Sequence, residues 1–169
     1  MALIHGGTLS LAAAYDTWGP RLLAYAIALF RERELAEEAI QGVFASLAAR
    51  PALLAEARDP AAYLFTSVRR EALALKEKKE RFARLSEAPL DKFLASAPEG
   101  GLSEDECRQI ERLLLKISDD EREVVVLKIW GGLTYPQIAE ATQMSARTLE
   151  SRFRSAMDKL RDLLKNDHE

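Results

Sequence analysis

The chain has a single cysteine, Cys107, among its 169 residues, so no internal disulfide can form. Its two histidines, His5 and His168, stand at opposite ends. With one cysteine and no clustered histidines, a zinc site is not expected. Aromatic residues make up only 7% of the chain, and the one β-branched run is Val124 to Val126, which argues against a β-sheet protein. No apolar run reaches membrane-spanning length: Leu22 to Phe30 is too short and is followed by Arg31, Glu32, Arg33 and Glu34. A secretory signal pattern is also absent, so a reducing cytoplasm is the expected compartment. Positive charge is not in excess, because 24 Lys and Arg face 27 Asp and Glu. Any contact with nucleic acid must therefore come from local patches. No nucleophile–base pair, phosphate loop or metal cluster emerges, so no catalytic, cofactor-binding or metal-binding residue is assigned and no enzyme is expected.

Alanine and leucine are abundant, and 48% of the residues are hydrophobic. That composition points to an all-α protein large enough for two small domains. The segment from Ser118 to Leu164 is the most informative. Ser118 and Glu121 have capping-box spacing, and the helix they open ends near Trp130. Gly131 and Gly132 supply the backbone freedom to turn. Thr134 then caps a short helix from Tyr135 to about Thr142, with Pro136 in its first turn and Gln137 at the third position. Ser145 caps a long helix starting at Ala146. Leu149, Phe153, Ala156, Leu160 and Leu163 or Leu164 keep helical spacing along it. Its other face carries Arg147, Thr148, Ser151, Arg152, Arg154 and Ser155. A short helix, a tight turn and a longer helix with arginines and hydroxyls near its start form a helix-turn-helix suited to the DNA major groove. Glu150 dissents, standing on the same side where a cation would help: it either accepts from a cytosine amino group or weakens nonspecific binding.

The N-terminal half reads as amphipathic helices. Leu9 to Trp18 is the first, and Pro20 starts a second. A third begins near Glu34 or Leu35, with Glu37, Glu38 and Gln41 outward, and Pro51 ends or restarts it. Asp59 caps a fourth, Pro60 takes its first helical position, and this helix runs to about Leu85. Residues 86 to 102 hold Pro89, Pro98, Gly100 and Gly101 and read as a flexible linker. The expected architecture is two small helical domains, 8–85 and 103–169, joined by that linker, with the helix-turn-helix in the second. Charge is segregated in support of this division. Residues 76–95 carry 6 Lys and Arg against 4 acids, whereas residues 96–122 carry 4 against 8.

Both halves together resemble the extracytoplasmic-function (group IV) sigma factors of bacterial RNA polymerase. Tyr15 to Tyr25 and Ala36 to Phe44 look like the family's opening helices. Pro60 to Phe65, with Val68 and Arg69, looks like the start of its −10-reading helix. Arg122 to Leu127, Gly132 to Glu140, Thr148 to Arg152, and Leu160 with Arg161 look like its −35-reading domain. The resemblance implies docking of Glu37, Glu38 and Gln41, with Phe44 beside them, on the clamp helices of the core polymerase's largest subunit. It implies −10 contacts from Tyr63, Phe65, Arg69 and Arg70, and −35 contacts from Arg147, Thr148, Ser151, Arg152 and Arg154. Arg152 is the foremost phosphate candidate, and Arg147 and Thr148 the foremost base-edge candidates. The partners implied are core polymerase and promoter DNA, with an anti-sigma protein as a further partner touching Leu90, Phe93 and Leu94. No membrane insertion is expected, and the free chain is expected to be a monomer.

The sequence also departs from the family pattern. Gly42 replaces an acidic residue of the docking motif, and Ala48 replaces an aromatic. Arg70 and Ala74 replace Asn and Asp of the melting helix. Gln143 takes a turn position that often holds glycine. Two other readings stay open at this point. One is a sigma mimic that binds an anti-sigma factor without activating transcription. The other is an ordinary dimeric helix-turn-helix regulator, which would bind a palindromic site.

Overall fold

In a computed structural model, which describes residues 10–82 and 104–166, the chain is all-α, with eight helices and no strand among the described residues. The linker, with Leu90, Phe93 and Leu94, lies outside the described residues, as do both histidines. Helix α1 spans Leu11–Phe30, α2 Arg33–Ala49, α3 Ala52–Ala55 and α4 Pro60–Phe82. Helix α5 spans Glu104–Leu114, α6 Asp119–Ile129, α7 Tyr135–Thr142 and α8 Ala146–Asn166.

One feature of the N-terminal half corrects the sequence reading. The first two expected helices are one, because α1 runs straight through Pro20. Proline in a helix interior removes one backbone hydrogen bond and ordinarily breaks or kinks the helix. Here Asp16, whose carbonyl loses its donor, and Pro20 both lie at the exposed surface. Burial of Leu22, Tyr25, Ala26 and Ile27 just beyond the proline holds the helix together. A fully buried large side chain contributes roughly 1.5–3 kcal/mol, so this group outweighs one lost bond. The helix opens at Ser10, whose hydroxyl accepts from the Ala13 amide at 3.1 Å. Pro51 both ends α2 and restarts the chain as the single turn of α3. Asp59 caps α4, its Oδ1 accepting from the Ala62 amide at 3.0 Å.

The C-terminal half follows its capping signals. Ser118 and Glu121 form a reciprocal capping box on α6, and Thr134 and Gln137 form another on α7. Ser145 Oγ accepts from the Thr148 amide at 3.1 Å at the start of α8. Between α6 and α7, Gly132 adopts φ +65°, and a β-carbon at Gly131 would lie 2.5 Å from the Leu127 carbonyl oxygen. The first position has no room for a β-carbon, and the second takes a backbone conformation that glycine adopts most readily. The turn into α8 uses Gln143 at φ 61°, a left-handed conformation that glycine adopts more readily. Arg122 is fully buried and fastens α5 to α6. Its Nε donates to the Leu114 carbonyl at 2.8 Å, one terminal nitrogen to the Ile117 carbonyl at 3.1 Å, and the other to Asp119 at 2.9 Å. A cation at the C-terminal end of a helix satisfies carbonyls that have no intrahelical partner.

One hydrophobic core passes through both halves. Leu22, Tyr25, Leu64 and Phe65 from the N-terminal side belong to the same cluster as Val124, Leu127, Ile138 and Leu149. Helix α2 packs on α1 and α4, α6 packs on α1 and α8, and α7 packs on α4.

Candidate nucleic-acid and polymerase interfaces

Three surfaces carry the residues singled out by the sequence. The first is the outer face of α8. Arg147, Ser151 and Arg154 are exposed and share this face with Glu150. Thr148 is half-buried, and its hydroxyl lies 2.8 Å from Ser145 Oγ, so it is partly committed to the helix cap. Arg152 is turned to the other side of the helix. It pairs with Asp120 at 2.8 Å and also touches the Met144 sulfur. Ser155 is likewise committed, donating to Glu121 at 2.8 Å.

Glu121 is a central tie of this half. Besides the Ser155 bond it receives Lys159 Nζ at 2.7 Å and the Ser118 hydroxyl at 2.9 Å. Burial pushes its carboxyl up, but the bonds from Lys159, Ser155 and Ser118 outweigh that and bring it down from 4.5 to about 2. It joins the start of α6 to the middle of α8 and so fixes the angle at which α8 presents its outer face.

The second surface is a groove of about 550 Å3 between α1 and α2, lined by Tyr15, Gly19, Pro20, Leu23, Glu37, Ile40, Gln41 and Phe44. Tyr15 is 52% exposed and meets Phe44 edge-on, with ring centroids 5.1 Å apart. Glu37 and Gln41 stand at the rim, with Glu37 paired to Arg33 at 3.2 Å. Glu38 is exposed but does not line this groove. Gly42 lies against α4, where a β-carbon would sit 3.2 Å from Glu71 Oε1. A carboxylate from another helix thus lies over the position where the docking motif lacks one.

The third surface, on α4, is divided by burial. Phe65 is 0% exposed and packs edge-on against Tyr25 at 5.4 Å, so in this structure it serves the core rather than a base stack. Tyr63 is half-buried and Arg70 exposed. Arg69 donates through Nε to Glu123 of α6 at 2.8 Å. Glu123 also accepts the Tyr25 hydroxyl at 2.8 Å. Burial, followed by the adjacent Glu123 carboxylate, raises the Tyr25 phenol well above its usual value. Burial alone would lower the Arg69 guanidinium, but its bond to Glu123 prevails and raises it. Sequence reasoning did not single out Tyr25 or Glu123. An acid beside the otherwise apolar run Val124 to Leu127 is the signal that could have found Glu123.

Residues 107–160 match the model of the Sigma-70, region 4 family. A curated relative, the ECF RNA polymerase sigma factor SigK of Mycobacterium ulcerans, is 26% identical over 168 residues, covering 96% of this chain and 89% of its own. Over nearly its whole length the chain is similar to extracytoplasmic-function sigma factors of the sigma-70 family. SigK of Mycobacterium bovis BCG is 24% identical to this chain over 163 residues, covering 92% of it and 86% of the relative. Among solved structures, the sigma factor RpoE of Bartonella quintana, crystallised with the anti-sigma factor NepR, superposes with a TM-score of 0.69 at 24% identity. That match covers 89% of this chain and 94% of the other, and it shows a shared all-α fold. The family match coincides with the helix-turn-helix half, where the capping signals are densest. Sigma factors as a group are not enzymes. No helix among the described residues is long and apolar enough to cross a membrane.

Proposed function

We propose that this chain directs promoter-specific transcription initiation by binding core RNA polymerase and reading two promoter elements. The observation that carries this reading is the helix-turn-helix of α7 and α8, with Arg147, Ser151 and Arg154 exposed on α8 within the region matched by the family model. Residues 103–169 form the −35-reading domain, in which Arg147 reads a base edge and Arg154 tracks phosphate. Thr148, Ser151 and Arg152 complete that set, Arg152 once it is drawn from Asp120 to a phosphate.

Residues 8–85 form the domain that docks on the polymerase and captures the displaced −10 strand. Its α1/α2 groove is apolar at the base and acidic at the rim, which suits a helical partner offering apolar and basic side chains. Glu37 and Gln41 are the rim contacts, and Glu38 extends them. Tyr63, Arg69 and Arg70 serve the −10 strand, and Phe65 supports them from the core. An anti-sigma protein is a further partner, as NepR is for the Bartonella quintana RpoE with which it was crystallised. The chain works in the cytoplasm as a monomer when free.

Co-elution with purified core polymerase tests this reading. The full chain should bind stoichiometrically, and Glu37→Lys with Gln41→Ala should weaken binding at least tenfold while leaving helix content intact. No binding by the wild-type chain would overturn it.

A further inference from the structure

Helices α2 and α4 meet through small side chains. Ala39 and Ala72 are both 0% exposed and pack with Leu35 in a second, smaller core. The distance between packed helices follows the side chains at the contact, so alanines let the two backbones approach closely. Three residues past Ala39 comes Gly42, which adds no side chain to α2, and one residue before Ala72 comes Glu71 of α4. This register lays the Glu71 side chain across the bare backbone at Gly42. A β-carbon there would lie 3.5 Å from its Cγ and Cδ and 3.2 Å from its Oε1. Glu71 is half-buried, yet it makes no hydrogen bond or ion pair among the described residues. By contrast, Glu37 is paired with Arg33 and Glu32 with Lys79.

Residues three and four apart share one face of a helix, so positions 38, 41 and 42 of α2 stand together. Glu38 and Gln41 are exposed on that face. Gly42 leaves a gap beside them, and the Glu71 carboxylate fills it from the neighbouring helix. Contact with α2 already restrains this side chain while its charge stays unpaired. It can therefore accept a cation without leaving another partner and with little ordering cost.

We propose that Glu71 is a polymerase-docking residue, supplying from α4 the negative charge that Gly42 does not offer on α2. Its partner is a basic side chain on the polymerase helix that meets Glu38 and Gln41. The assignment rests on the docking function proposed above and extends that surface from α2 onto α4. A side chain grown at position 42 would enter the space that Glu71 holds, so the two positions are alternative sources of one charge.

Binding of the full chain, labelled at its N-terminus, to purified bacterial core polymerase across a salt series tests the assignment. Glu71→Gln keeps the shape of the side chain and removes its charge. It should weaken binding about three- to fivefold, the worth of one exposed ion pair. It should also flatten the dependence of affinity on salt. Glu77→Gln, the same charge change elsewhere on α4, should bind as the wild type does. Adding Gly42→Glu to Glu71→Gln should restore both affinity and salt dependence, because the charge returns on α2. A loss that Gly42→Glu does not restore would make Glu71 a support of the fold and overturn the assignment, as would an equal loss with Glu77→Gln. If Glu71→Gln loses helix content, Glu71→Ala, which places the best helix former there, decides by the same readings. A wild-type chain that fails to bind core would overturn the docking function and the assignment with it. A wild-type chain that binds, with Glu71→Gln binding equally well at every salt concentration, would overturn the assignment alone.

Discussion

Helices α4 and α8 both carry arginines expected to meet DNA, and the structure treats them differently. On α8, Arg147 and Arg154 project from an open face, and the helix is fixed from behind by Glu121. On α4, Arg69 is held by Glu123 and Phe65 is sealed in the core. A recognition helix anchored by one face can offer the other to a duplex at any time. On α4 the neighbouring Arg70 is exposed, so packing against the C-terminal half divides two adjacent arginines of that helix.

The largest expected effect falls on the buried member of this comparison. Phe65→Ala should cost about 3–5 kcal/mol of stability, as deletion of a packed aromatic does. Chemical denaturation will show this, and a stable variant lacking only −10 binding would restore Phe65 to the DNA surface. Next in size, Glu121→Gln should cost roughly 1–3 kcal/mol, since it weakens charge-assisted bonds that tie α6 to α8. Because folding lowers this carboxyl, its contribution is full above about pH 4.5 and is lost as pH falls toward 2. Denaturation midpoints of the wild type and the variant should therefore converge as pH drops through that window.

Two further effects sharpen the reading of α8. Arg147→Ala should cost roughly 1–3 kcal/mol at one base position and little on random DNA. Titration against single-base operator variants checks this, and equal loss on all sequences would make Arg147 a backbone contact. Arg154→Ala should reduce the salt slope of duplex binding by about one unit, and Arg152→Ala should do so only if Arg152 leaves Asp120 on DNA. The smallest effect is at the turn. Gln143→Gly should stabilise the chain by no more than about 1 kcal/mol, because glycine relieves the left-handed backbone there. Thermal unfolding will report the sign.

The helix-turn-helix was legible because its signals are local. The capping boxes of Ser118 and Thr134, the glycine pair and the left-handed Gln143 all act within a few residues of themselves, and each stands where the sequence places it. Pro20 misled because the cost of a proline is local whereas the burial that overrides it is tertiary. Glu123 was missed for a related reason. Its partners, Tyr25 and Arg69, lie 98 and 54 residues away. Arg152 and Arg154 sit close together on one helix, yet only packing decides that one faces Asp120 and the other solvent. Periodicity assigns a residue to a side of a helix, but it does not say which neighbour waits on that side.

The most direct measurement is transcription in vitro from a genomic library, with purified core polymerase and this chain as the sole specificity factor, followed by mapping of the start sites. The account predicts defined starts that depend on the chain and share spaced −35 and −10 elements. Starts unchanged by adding the chain, or a palindromic site bound by a dimer without polymerase, would contradict it.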